Sequence, residues 1–109
     1  MNNTQVYTFM SAAEKGDMDK IVGLYESGCA WDERVCMSAA EFGYMDVLKF
    51  LFEMGCPMDV RTCWMAAMND DLPMLEYACN NGCLCDGTVE QYAIENQNRK
   101  MLLYIHSKV

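Results

Sequence analysis

An all-α stack of helical hairpins is the fold this sequence predicts, and three observations predict it. Gly28, Gly55 and Gly82 stand 27 residues apart, as do Cys29, Cys56 and Cys83, and Asp32, Asp59 and Asp86. The pairs Ala12-Ala13, Ala39-Ala40 and Ala66-Ala67 keep the same interval, with Ala93 following on time. Each period also carries an apolar stripe at helical spacing, such as Met45, Leu48, Leu51 and Phe52. A period of this length is the signature of a solenoid, whose units bury their apolar faces only against neighbours. The expected organisation is a single domain, residues 1–109, of about four units: 8–34, 35–61, 62–88 and 89–109.

The second unit, residues 35–61, shows the pattern most cleanly. Its first helix is expected over Val35 to Phe42, centred on two alanines that favour helix and permit close approach of a neighbour. Gly43 can take the left-handed conformation that ends a helix. The second helix follows, with Asp46 near its N-terminus, where negative charge is favoured. Gly55 stops it. Cys56-Pro57-Met58-Asp59 is then extended, because proline disfavours helix in the residue before it. In the third unit Thr62 is expected to cap the first helix. Asp70 takes the left-handed place of Gly43, which Asp tolerates better than most residues. Pro73 falls in the first turn of the second helix, where its missing N–H costs nothing.

The terminal units change in character. Val47, Met74 and Met101 correspond to Lys20, and Phe50, Tyr77 and Tyr104 to Gly23. Met18, Met45 and Leu72 correspond to Arg99, and Tyr25, Phe52 and Cys79 to His106; Glu90 likewise stands opposite Cys36 and Cys63. Polar outer faces on terminal repeats are the capping rule. The first and last units are therefore expected to act as caps, and the chain to be a complete array.

Composition excludes several functions. The net charge is −8, with 16 acids against 8 bases. Nucleic-acid binding needs clustered Lys and Arg, so no nucleic-acid partner is expected. No apolar run reaches the length of a membrane span, and the N-terminus lacks the basic-then-apolar pattern of a signal peptide. With no secretory signal, the seven cysteines are read as reduced thiols of a cytoplasmic protein. Five of them fall in repeated columns, 29/56/83 and 36/63, where a buried Cys serves as a small hydrophobe.

The pattern Ala-Ala-x-x-Gly, an apolar helix, then Gly-x-x-x-Asp resembles the ankyrin repeat. It stands here as SAAEKGDMDKIVGLYESGCAWD, SAAEFGYMDVLKFLFEMGCPMD and MAAMNDDLPMLEYACNNGCLCD. The family's usual unit is about 33 residues. The six-residue difference falls where that family carries its β-hairpin finger, so the fingers are expected to be short or absent. Thr62-Cys63-Trp64-Met65 replaces the family's Thr-Pro-Leu-His opening. The short form is similar to repeats of large DNA viruses of amoebae and of protists. The resemblance covers residues 8–109 and implies a non-enzymatic protein-binding module, a viral or protist factor engaging a host protein, without a cofactor.

The same resemblance places the outer residues of each first helix on the grooved face. Those are Met37, Glu41, Phe42, Trp64, Met68 and Asn69, four of them large and apolar. Aromatic and Met side chains are enriched at binding hot spots, which favours Trp64, Met68 and Phe42 as contacts. Met37, Met58 and Trp31 fit gap-filling equally well. Glu41 and Asp71 would add negative charge, so the expected partner is a protein with a basic or apolar contact segment. Self-association through the same residues is the alternative.

Chemistry has little support in the pattern. Cys79, Cys83, Cys85 and His106 form the one set with metal-ligand chemistry, suited to tetrahedral zinc or to thiol redox work. Against it, Cys83 belongs to a repeated column and Cys79 stands where Phe52 and Tyr25 stand. His106 reads as a capping residue, and no base–nucleophile–oxyanion set exists. No enzymatic activity, metal or cofactor is expected.

Overall fold

The structure, a computed structural model, describes residues 3–108. Residues 1, 2 and 109, the ends of the expected domain, lie outside the described residues. Eight α-helices and no strand are present among those described. The helices form two compact units, one running to Met58 and one from Asp59. The first holds α1 (Asn3–Lys15), α2 (Met18–Glu26), α3 (Glu33–Glu41) and α4 (Met45–Glu53). In it α1 packs on α2 and α3, and α3 on α4. The second holds α5 (Val60–Met68), α6 (Leu72–Asn80), α7 (Gly87–Glu95) and α8 (Arg99–Ser107). In it α5 packs on α6 and α7, and α7 on α8. The starts of α3, α5 and α7 are 27 residues apart, as are those of α2, α4, α6 and α8.

The repeated aspartates begin helices. Asp32, Asp59 and Asp86 are extended N-cap residues of α3, α5 and α7. Their carboxylates accept the N–H of Arg34 at 2.9 Å, Arg61 at 3.0 Å and Thr88 at 3.0 Å. Each satisfies a donor that the helix cannot pair internally. α3 therefore begins two residues earlier than the sequence suggests and α5 three, and α3 ends at Glu41 with Phe42 as its C-cap.

Thr62 is not the cap of α5; that role belongs to Asp59. It lies inside the helix, completely buried, and its hydroxyl has no hydrogen-bond partner among the described residues. Val35 and Val89 occupy the equivalent buried positions of α3 and α7. Thr62→Val is therefore expected to stabilise the protein by about 1 kcal/mol, by removing a desolvated and unpaired hydroxyl. Urea denaturation of the two proteins would measure it, and a lower midpoint for the variant would show that the hydroxyl is satisfied in solution.

The turns within the helix pairs close as the sequence predicts. Gly43 has φ +80°. The Tyr44 N–H donates to the Ala39 carbonyl at 2.9 Å and the Gly43 N–H to that of Ala40 at 3.2 Å, the two bonds of a Schellman stop. Asp70 takes φ +60° in the second unit, and so does Gln97 at +55°, which the sequence reading did not single out. Neither is glycine, and side chains brace both turns. The Asn98 amide donates to the Asp70 carboxylate at 2.6 Å, and the Asn96 amide to the Ala67 carbonyl at 3.0 Å. Asp71 caps α6 through the Met74 N–H at 3.2 Å, and Pro73 sits in that helix's first turn.

The paired alanines are almost wholly buried in both units. Val47, Leu48 and Leu51 are completely shielded in the first unit, and Met74, Leu75 and Met101 in the second. Lys20, the counterpart of Val47, is exposed.

Candidate functional site

The expected contact residues lie in the two units as follows. In the first, Met37 is half-buried on α3, while Glu41 and Phe42 are exposed at its end, Phe42 by 50%. In the second, Trp64 is half-buried on α5, and Met68 and Asn69 are exposed at its end, Met68 by 39%.

Trp64 has a structural attachment that the sequence did not reveal. Its indole N–H donates to both carboxylate oxygens of Asp86, each at 3.1 Å. Asp86 is at the same time the N-cap of α7. The indole thus ties α5 to the start of α7. Asp71 is half-buried and occupied in capping α6. Trp31 is half-buried in the first unit: its ring stacks on Tyr25 at 5.3 Å and lies 5.3 Å from Phe9.

A thiol cluster is the second feature. The ligand atoms of Cys63, Cys79 and Cys85 all lie within 4.8 Å of one another. The Cys63 and Cys79 sulfurs are 4.0 Å apart. Cys83 is bonded to Cys63 as a disulfide with Cα atoms 6.5 Å apart, inside the usual range of about 4.4–6.8 Å. This corrects the reading of all seven cysteines as reduced; five are free. The physical reason is convergence: Cys63 faces out of α5 toward the segment after α6, where Cys83 lies. Three sulfurs therefore meet in the second unit, Cys63 from α5, Cys79 from α6 and Cys85 from the connection to α7, and Cys83 of the same connection is joined to the first of them.

Cys63 is absent from the sequence-derived set, although it shares a column with Cys36 and Glu90. His106 pairs with Glu90 instead, its Nε2 2.7 Å from the carboxylate and both side chains well exposed. Glu90 and His106 are the counterparts of Cys63 and Cys79 one period on. The column pairing visible in sequence was thus the signal that could have found Cys63.

Burial pushes the Cys79 thiol up to about 12, the neighbouring Cys85 adds to the rise, and Lys108 opposes it. Burial likewise pushes the Tyr104 hydroxyl up to about 12, reinforced by Cys79 and Cys85. That hydroxyl is closed to solvent and has no hydrogen-bond partner among the described residues. A pocket of about 350 Å³ opens here, lined by Cys79, Cys83, Leu84, Cys85, Ile105 and Lys108.

The first unit's buried thiols are different. Cys36 sits 3.9 Å from the Cys56 carbonyl, and the Cys56 thiol reaches the Asp32 carbonyl at 3.5 Å. The hydrogen bond with Cys36, then burial, drives the Cys56 thiol far above its ordinary range. Such a thiol is a poor nucleophile. A larger pocket of about 510 Å³ lies along α1 and α2, with Thr4, Thr8, Ser11, Lys15 and Lys20 in its wall. Its lysines and hydroxyls include no thiol or imidazole.

No protein-family model and no curated protein matches this chain. No helix among the described residues is long and apolar enough to cross a membrane.

Proposed function

We propose that this chain is a non-catalytic, ankyrin-like repeat module that binds another protein through apolar side chains at the ends of its first helices. The observation that carries this reading is the exposure of Phe42 and Met68, 50% and 39%, next to acidic neighbours in a chain of net charge −8. Large side chains left in water at equivalent ends of α3 and α5 gain most from a partner that desolvates them. The 27-residue helix spacing, the left-handed stops and the strand-free connections also support the ankyrin-like reading. Negative potential around apolar anchors favours a basic segment and steers its approach. The short repeat form favours a viral or protist protein that engages a host partner.

Trp64 is a poor single probe, because truncating it also removes the bond to the cap of α7. Phe42→Ala and Met68→Ala are cleaner. Each is expected to weaken capture of the partner by at least about tenfold, the cost of losing a hot-spot side chain. Leu103→Ala, which trims an exposed side chain elsewhere, should leave capture unchanged. Affinity capture with quantified partner, repeated with each variant, is the test. Equal capture by all proteins would reject both side chains as contacts. Sedimentation at micromolar concentration checks self-association, since a dimer lost in Phe42→Ala would make the partner a second copy of the chain.

A further inference from the structure

Four positions recur in each period, and their occupants change in one direction. In the first period they hold Phe9, Tyr25, Cys29 and Trp31; in the second, Cys36, Phe52, Cys56 and Met58; in the third, Cys63, Cys79, Cys83 and Cys85. The first quartet is built from three aromatic rings, with Trp31 5.3 Å from both Phe9 and Tyr25. Large side chains hold three of these places in the first period and two in the second. The third quartet gives up that bulk for two further thiols, and a pocket of about 350 Å³ lies against them. Packing does not account for this exchange, because Phe or Tyr and Met or Trp fill the same positions elsewhere.

We propose that Cys63, Cys79, Cys83 and Cys85, with the Cys63–Cys83 pair in its dithiol form, are a tetrathiolate site for a zinc-class divalent metal ion. A zinc–sulfur bond of about 2.3 Å sets the edge of a tetrahedron at about 3.8 Å between sulfurs. The Cys63 and Cys79 sulfurs stand 4.0 Å apart, and with Cys85 they lie within 4.8 Å of one another. Cys83 is already in contact with Cys63. Rotation of the Cys83 side chain toward Cys79 and Cys85, once it is released from Cys63, would close the set. The surroundings suit an anionic centre. Lys108 lies on the pocket wall and offsets part of the negative charge of four thiolates. The buried Tyr104 hydroxyl, beside Cys79 and unpaired among the described residues, is a donor that a thiolate would accept. The Cys83 sulfur lies 3.2 Å from the Asp59 carbonyl oxygen, so the cluster adjoins the residue that caps α5.

The chemistry balances simply. A phosphine reductant and water break the Cys63–Cys83 bond, giving two thiols and one phosphine oxide. A divalent metal then forms four metal–sulfur bonds as the four thiols release four protons. The disulfide and the metal compete for the same sulfurs, so oxidation closes the site and reduction opens it.

The test uses the full chain, phosphine-reduced and kept from air, titrated with cobalt(II) and then with zinc(II). The expected result is one cobalt per chain with the intense visible absorption of tetrahedral thiolate cobalt, displaced by zinc. Zinc should also raise the melting temperature of the reduced protein. Cys79→Ser and Cys85→Ser are each expected to weaken binding by more than the roughly 10–100-fold that loss of an outer-shell partner costs. Cys29→Ser should bind normally. The double variant Cys79→Phe/Cys85→Met installs the occupants of the second period; it should fold and bind no metal. It decides the matter if a serine variant fails to fold. A reduced chain without bound metal, a weakly absorbing octahedral cobalt spectrum, or full binding by the Phe/Met variant would overturn the site.

Discussion

Phe9→Ala is expected to lower folding stability by about 3–5 kcal/mol, the range for truncating a fully buried aromatic side chain. Phe9 is completely shielded on α1. Its ring lies 5.3 Å from Trp31, which stacks on Tyr25, and Tyr25 meets Phe50 edge-on at 5.8 Å. Removing the first ring leaves a void where α1 packs on α3, and the rings behind it lose a wall they cannot easily rebuild. Small domains are stable by about 5–15 kcal/mol in total, so this is a large share of what is available. The shift in urea midpoint measures it. A change within about 0.5 kcal/mol, the usual surface range, would mean that α1 is not packed as described.

Leu75→Ala is the matching experiment in the second unit, with an expected loss of about 2–5 kcal/mol. Leu75 is fully buried on α6, the counterpart of Leu48 on α4. The exposed Leu103 on α8, 71% accessible, provides the contrast: Leu103→Ala should stay within about 0.5 kcal/mol. Hydrogen exchange would show where the loss is felt. Equal effects of the two substitutions would contradict the assignment of the helical faces on α6 and α8.

Local signals were legible in the sequence because the residues that carry them act on their own neighbours. Gly43 stops α3, Asp70 adopts the left-handed turn, Pro73 opens α6, and Leu48 and Leu51 lie on the buried face of α4, all as their type and spacing imply. Thr62 shows how such reasoning fails. A threonine before an apolar run imitates a cap, but Asp59 three residues earlier starts the helix first and leaves Thr62 inside it. Asp32, Asp59 and Asp86 were visible as a column, yet they read as the end of one period rather than the beginning of the next helix. Features of the candidate sites were less legible because they join distant residues. Trp64 and Asp86 are separated by 22 positions, and Cys63 and Cys83 by 20. Spacing along a chain does not reveal which way two side chains turn; only the packed helices bring them together.

The short joints from Gly28 to Asp32, Gly55 to Asp59 and Gly82 to Asp86 bear on how such a chain changes over generations. Each begins with a glycine at positive φ and ends with an aspartate that caps the next helix. A stretch copied from one aspartate to just before the next carries both punctuation marks with it. Tandem duplication of such a stretch adds a pair of helices whose ends are already provided for, and deletion of one removes them cleanly. A duplication of any other length splits a helix from its start or its stop. The length of this protein is therefore expected to evolve in whole steps, with the spacing between joints as the indivisible quantum.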